Sequence, residues 1–519
     1  MGSACFDAHS LWQRSEKPLY QSLRGNLRCH TCVIGAGIAG LSVAYQLLKA
    51  GQQVVVLDRE RLGLGETGLT SAHLSNALDE GYVKIRSLHG QEGARLASES
   101  HTRAIDEIED IADREGIDCD FQRVDGYLFL GANQPLEDLQ RERAAAHEAG
   151  LTDVRLVQSA PARLFETGPA LHYPDQATFH PLLYLDGLAE AVLRLGGRIF
   201  THSEAVEVYG GHYAYVKTRL GHKVEAENIV VATNVPINNL VAVQTKIPAY
   251  RSYLIGMTVP PERVGNELFW DTESPYHYIR FVKDPTTGED IVLIGGEDHR
   301  VGQGIHPEQH FKNLELWASR RLELDTRVVT RWSGQIIEPI DGLAYIGRNP
   351  SDEQNVFIVT GDSGHGLTHG TIAGLLLRDL ILRRDNPWAK LYDPARLYFR
   401  SLTTYMSEAA QSTAPYSDWL SEGDVKSADQ IAQGEGAVIR EGLRKVAVYK
   451  DDRGQVHVCS AVCTHLGGIV RWNSAERTWD CPCHGSRFDC FGDVLNGPAN
   501  KPLAPLEEEI PTETVSLQP

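Results

Sequence analysis

A chain of 519 residues exceeds one ordinary domain and has the length for roughly two to four packed units. Fifty Lys and Arg against 69 Asp and Glu leave a net charge of −19, which opposes nucleic acids and anionic membranes while leaving basic protein partners open. The start, MGSACFDAHSLWQRSEKP, has no basic-flanked apolar core or cleavage site, and no run approaches a membrane span, so the expectation is a cytoplasmic protein.

After an extension over 1–27, RCHTCVI reads as a strand, GAGIAG as a glycine turn and LSVAYQLLKAG as an apolar-faced helix stopped by Gly51. QQVVVLD follows as a second strand, completing one βαβ unit of a parallel sheet. Gly35, Gly37 and Gly40 form G-x-G-x-x-G between strand and helix, and Asp58 ends the second strand. In that setting Gly35 permits the tight turn, Gly37 lets a pyrophosphate approach the backbone, and Gly40 lets helix and strand pack closely. The anion would sit on the unpaired N–H groups of the helix start, and Asp58 would accept hydrogen bonds from an adenosine ribose. The middle of the chain alternates acidic helical stretches such as SHTRAIDEIEDIADREG with strand-like GYLFLG, YHYIRFV and DIVLIGG, as in an α+β substrate domain. NVFIVTGDSGHGLTHGTIAGLLLRDLIL then repeats strand, glycine loop and helix, so the nucleotide-binding domain is expected to be discontinuous.

The segments VIGAGIAGLSVAYQLLKAGQQVVVLDRERLGLGETGLTSAHLS and DGLAYIG with VTGDSGHGLTHGTIAGLL resemble the FAD-dependent D-amino-acid oxidase and glycine oxidase superfamily, over about residues 25–400. The resemblance implies FAD and a Rossmann-like, glutathione-reductase-type α/β domain from 28–85, about 185–240 and 330–400. The substrate domain would take about 86–184 and 241–329. It further implies cofactor contacts from Arg59, Thr70, His73 and Val206, and a loop over the isoalloxazine that includes Gly361, Gly364, His365, Gly366, Leu367 and Thr368. His73, in TSAHLSN, parallels a histidine that carries the flavin covalently in dimethylglycine-oxidising relatives; we expect a non-covalent neighbour here. A substrate site needs groups to orient an amine and any carboxylate. YHYIRFV offers Tyr276, Tyr278 and Arg280 on one strand face and His277 on the other, with Arg251 and Arg300 as further basic candidates.

A polar linker is expected over 401–430, then a small all-β domain over 431–519. Five of the nine cysteines fall between 459 and 490, a local site and not a dispersed disulfide framework. The pattern is Cys463-Thr-His465, fifteen residues, then Cys481-x-x-His484. Zinc fingers pair cysteine with cysteine and histidine with histidine along the chain, whereas here each loop supplies one of each, as a Rieske [2Fe–2S] cluster requires. CTHLGGIV, CPCHGSRFD and GDVLNGPANKPL resemble the Rieske family over roughly 434–510. That resemblance makes Cys463 and Cys481 the thiolate ligands and His465 and His484 the imidazole ligands. It also implies that the counterpart of Cys483 forms a disulfide in respiratory members, with a cysteine where this chain has Gly468. Cys459 and Cys490 are other conceivable partners, but neither stands where the family would place one, so Cys483 is expected as a buried thiol. Ser486 matches a serine that hydrogen-bonds the cluster sulfur in high-potential members, while Phe488 stands where those members have tyrosine, so the potential is expected below the top of the range of about −150 to +300 mV.

Two centres on one chain imply relay: a substrate, expected from the superfamily to be an amine, amino acid or N-methyl compound, reduces FAD, and electrons pass singly through the cluster to a one-electron acceptor protein or quinone. The competing reading is an electron-transfer protein with no small-molecule turnover of its own. A Rieske oxygenase would need an iron triad, for which Asp298, His299, His306, Glu308 and His310 are the nearby candidates, at an unconvincing spacing.

Overall fold

The computed structural model describes residues 10–14, 20–238, 246–303, 306–322, 327–350, 352–397, 407 and 410–506. They divide into two compact units, one drawn from 8–410 and the other from 411 onward.

In the larger unit one sheet runs in the order Tyr345–Arg348, Val356–Thr360, Lys223–Val231, Leu27–Ile34, Val54–Leu57, Arg198–Phe200, with Ala205–Tyr209 and Tyr215–Thr218 as a meander beside Lys223–Val231. Leu27–Ile34 is parallel to both of its neighbours. Val54–Leu57 is buried at every residue, the pattern of a parallel strand covered on both faces. The glycine fingerprint therefore opens at the carboxyl end of a central strand, where such sheets place ligands. The following helix, Ile38–Lys49, packs on Gly366–Ile381. A methyl at Gly370 would lie 2.9 Å from Ile38 Cγ2, and one at Gly374 2.8 Å from the Ser42 carbonyl oxygen, so these glycines set how closely the helices approach.

The second sheet runs Val328–Ile337, Ala249–Thr258, Asp290–Arg300, His277–Lys283, Leu268–Asp271, Gln122–Phe129, Ala170–Thr178, His73–Leu74, with Arg155–Val157 beside Ala170–Thr178. Helix Pro307–Arg321 covers one face of it. His73–Leu74 pairs antiparallel with the end of Ala170–Thr178, so the sheet itself positions the loop before His73.

The second unit is all-β: Gly436–Glu441, Arg444–Lys450 and Val456–Ser460 form one antiparallel sheet, and Arg471–Asn473, Thr478–Asp480, Arg487–Asp489 and Val494–Asn496 another. Its core gathers Trp479, Phe488 and the cysteines 459, 463, 481, 483 and 490. Among the described residues no helix is long and apolar enough to cross a membrane.

Candidate functional site

The fingerprint glycines are dictated by contact. Gly35 has φ +102°, and a Cβ there would meet the Ala232 carbonyl oxygen at 2.3 Å; a Cβ on Gly40 would meet the Gly35 carbonyl oxygen at 1.8 Å. Gly37 is the N-cap of the first helix and gives it no side-chain cap; Thr67 Oγ1 accepts from the Ile38 N–H at 3.1 Å. Asp58 Oδ2 accepts from the Ala36 N–H (2.7 Å) and Oδ1 from the Glu60 N–H (2.8 Å), which fixes the carboxylate at the strand end where a ribose would meet it. Burial raises its pKa, against the pull of those amides. Arg59 is half-buried beside it, and the Asp58 carbonyl accepts from the Ser203 N–H, which leads the chain into the strand holding Val206. The Thr70 hydroxyl accepts from the Ala72 N–H.

The second glycine loop joins Val356–Thr360 to helix Gly366–Ile381, which is likewise uncapped by its N-cap side chain, that of His365. Gly361 and Gly364 have φ +75° and +74°, and a Cβ on Gly364 would lie 2.1 Å from Asp79 Oδ2. Leu367 and Thr368, buried in the first turn, anchor the helix start. From this loop a polar network crosses to the second sheet. His365 Nε2 lies 3.1 Å from the Asp79 backbone nitrogen, and the Tyr276 hydroxyl donates to Asp79 Oδ2 (3.3 Å). The hydroxyls of Tyr276 and Ser252 adjoin Asp298, and Ser252 Oγ is 3.1 Å from the Tyr278 hydroxyl. Burial, together with the Asp79 charge, pushes the Asp298 carboxyl up to about 7, although both hydroxyls pull it down. Its Oδ1 is buried with no hydrogen-bond partner among the described residues. Glu338, which accepts from Ser363 Oγ at 3.1 Å, is also raised by burial and by neighbouring carboxylates.

His73 packs edge-on against Tyr278, with ring centroids 5.5 Å apart. Its Nδ1 is 2.9 Å from Ser71 Oγ and its Nε2 3.4 Å from the Ile279 carbonyl oxygen. Burial and the Arg280 charge push its pKa down to about 3, so the ring is neutral.

In the all-β unit the Cys463 thiol touches that of Cys481 and the Ser486 hydroxyl, and the rings of His465 and His484 meet edge-on with centroids 5.0 Å apart. The cysteines are buried and the histidines half-buried. Two sulfurs on one side and two imidazoles on the other suit a cluster with two thiolates on one iron and two imidazoles on the second. Each loop closes through the same pair of backbone bonds, Gly467 N–H to the Cys463 carbonyl with Cys463 N–H to the Gly468 carbonyl, and Gly485 N–H to the Cys481 carbonyl with Cys481 N–H to the Ser486 carbonyl. Ser486 Oγ is held by the Ala499 N–H at 3.0 Å. Cys483 is a free buried thiol, and a Cβ on Gly468 would lie 2.5 Å from its Sγ.

Residues 30–380 match the family model described as FAD dependent oxidoreductase. The chain belongs to that family. Residues 421–507 match the Rieske [2Fe-2S] domain, so this FAD dependent oxidoreductase carries both cofactors. A Bacillus subtilis protein, YhfW, whose name places it among Rieske 2Fe-2S iron-sulfur proteins, is 30% identical over 96% of this chain and 97% of its own. The gamma-glutamylputrescine oxidoreductase of Escherichia coli is 26% identical over 70% of this chain and 85% of its own. Among solved structures, L-proline dehydrogenase from P. horikoshii aligns with a TM-score of 0.60 at 18% identity, covering 72% of this chain and 98% of its own. Glycine oxidase from Geobacillus kaustophilus does so at 0.57 and 18%, covering 72% and 100%. These two likenesses show the fold.

Within the FAD dependent oxidoreductase unit the substrate candidates separate. Tyr276 and Tyr278 join the network facing the glycine loop. His277 lies on the other face, 2.9 Å from Asp271 Oδ2 through Nδ1 and stacked on Trp317. Arg251 is fully buried and donates to Ser333, which, like Arg251, lies on the side away from Ser252. Arg280 spends its guanidinium on the carbonyls of Ser71 (3.1 Å), Ala72 (2.7 Å) and Phe179 (2.9 Å), fixing the turn before His73. The residues weighed as an iron triad do not converge: His299 stacks on His310, Glu308 pairs with Arg331, His306 is exposed, and Asp298 joins the tyrosine network. Asp79, Ser252 and Asp298 belong to no motif as flavin-side groups. A bulge after Ile294-Gly-Gly, with positive φ at Gly296 and Glu297, is the one local sign that this strand turns a carboxyl toward a site.

Proposed function

We propose that the chain oxidises a C–N bond of an amine, amino acid or N-methyl compound and relays the electrons one at a time from FAD through the Rieske cluster to an external acceptor. Bound FAD supplies two-electron oxidation and the cluster one-electron transfer. The observation that carries the reading is Asp298. A buried carboxyl titrating at about 7, with an unpartnered oxygen and two tyrosines beside it, is suited to accept the proton of a substrate ammonium. Tyr276, Tyr278 and Ser252 orient the amine, and Asp79 holds Tyr276 against the glycine loop. The gamma-glutamylputrescine relative supports an amine substrate.

The test is anaerobic mixing of the protein with a panel of amines, N-methyl compounds and amino acids. A substrate bleaches the flavin absorbance and then raises the EPR signal of a reduced Rieske cluster. Bleaching by a reduced redox protein and by no small molecule would refute the oxidase reading in favour of an electron carrier.

A further inference from the structure

We propose that the segment Ala414–Leu420 is a positioning strap that holds the two cluster loops together, in the place where a cross-link between positions 468 and 483 is missing. The proposal rests on Cys463, His465, Cys481 and His484 being the cluster ligands. A Cβ at position 468 would fall 2.5 Å from Cys483 Sγ, so the two loops are in contact at these positions, and the glycine there leaves Cys483 a free thiol with no cross-link to position 468. The strap binds the first loop directly and reaches the second through the packing of Tyr416 and through the hairpin that leads into it. Tyr416 donates its hydroxyl to the Leu466 carbonyl (2.9 Å) and Trp419 its indole N–H to the Gly467 carbonyl (2.9 Å). Those are the two carbonyls immediately after His465. The Tyr416 ring packs against the core that contains Cys463, Cys481 and Cys483.

Between these two donors Asp418 binds Arg471, with Oδ2 2.9 Å from Nε and 2.8 Å from the second guanidinium nitrogen. Arg471 begins the strand Arg471–Asn473, paired with Thr478–Asp480, whose last residue precedes Cys481. One seven-residue turn is thus tied to the first ligand loop by two hydrogen bonds and to the hairpin feeding the second by an ion pair. Lys445 donates to the Ser421 hydroxyl at 2.8 Å and fixes the exit of the strap to the neighbouring sheet. Since the strap grips the residues beside an imidazole ligand, loosening it alters the ligand field and not merely the melting point.

The experiment uses the full-length, cluster-loaded protein with Tyr416→Phe and Trp419→Phe together, which keep the rings and remove the donors, and separately Asp418→Asn. Readouts are the g-values and midpoint potential of the cluster at a temperature well below unfolding, and the rate of cluster loss under mild heating. Two hydrogen bonds of ordinary worth predict cluster loss faster on the order of tenfold, with shifted g-values in both variants. A Gly468→Cys background, oxidised with glutathione disulfide that takes two electrons and two protons from the 468 and 483 thiols, should suppress the effect of the paired substitution. Dithiothreitol, by returning them, should restore it. Native g-values and loss rate in both strap variants would overturn the proposal, as would an undiminished effect in a background whose cross-link is verified by thiol titration. If that cross-link does not form, the g-values of Asp418→Asn decide alone. Absence of a Rieske signal from the unaltered protein would overturn the ligand assignment and the proposal with it.

Discussion

Replacing Asp298 with asparagine tests the reading of the flavin-side network through two independent signals. The carboxyl titrates at about 7 in the folded protein against an ordinary 3.8, so the folded state keeps a proton that the unfolded chain has released. Ionising it therefore weakens the fold as pH rises from about 4 to 7, and above 7 the full penalty is present. A difference of about three in pKa corresponds to about 4 kcal/mol, and because the residue is partly exposed although its Oδ1 is enclosed, solvent screening trims this to about 2–4 kcal/mol. Asp298→Asn removes the penalty. Urea unfolding should find the variant no more stable than the native protein near pH 4 and more stable by that amount at pH 8. The same substitution should slow flavin bleaching by substrate about a hundredfold, and the inflection near pH 7 expected in the native rate should be missing from the variant. A stability difference that does not change with pH refutes the buried-carboxyl argument. A variant that keeps the inflection refutes the role of Asp298 as proton acceptor even if the fold behaves as described.

Further outcomes follow from other contacts. Gly40→Ala places a methyl 1.8 Å from the Gly35 carbonyl oxygen, so the protein should be purified colourless in the flavin band while its Rieske spectrum persists. Acid precipitation of the native protein should leave a white pellet and free FAD in the supernatant, because His73 is neutral with both ring nitrogens beside protein oxygens; a yellow pellet would mean a covalent flavin. Phe488→Tyr, at a fully buried site in the cluster core, should raise the cluster midpoint potential by about 40 mV if the new hydroxyl donates to sulfur with the worth of one hydrogen bond. Unchanged potential would mean that the ring does not point at the cluster.

The parts legible in the sequence are those where backbone geometry leaves one residue type possible. Gly35 and Gly40 have no room for a side chain, and the paired Cys-His loops are contiguous, so both sites could be read from spacing. The polar network was not legible because it is assembled from the loop at Asp79, the strand at Ser252 and Tyr278 and the bulge at Asp298, which no local pattern links. The arginines show the converse. Arg280 reads from the strand alternation as a carboxylate holder, yet in the fold it lies where three backbone carbonyls converge, and alternation along one strand carries no information about chain packed from 101 to 209 residues away. The stretch 414–420 is polar enough to read as linker, and only the structure reveals that Tyr416 and Trp419 are donors to the first ligand loop.

The contact between helices Ile38–Lys49 and Gly366–Ile381 bears on how the protein is made. Strand Leu27–Ile34 is flanked by Lys223–Val231, which pairs in turn with Val356–Thr360, so the first glycine turn is braced by chain synthesised more than 300 residues later. The two helices pack together only once about residue 381 has left the ribosome, so stable FAD binding is expected no earlier than that point of translation. The described residues of the cluster unit run from 411 onward. The four expected cluster ligands lie between 463 and 484, so gathering them asks for far less chain than joining the two glycine turns.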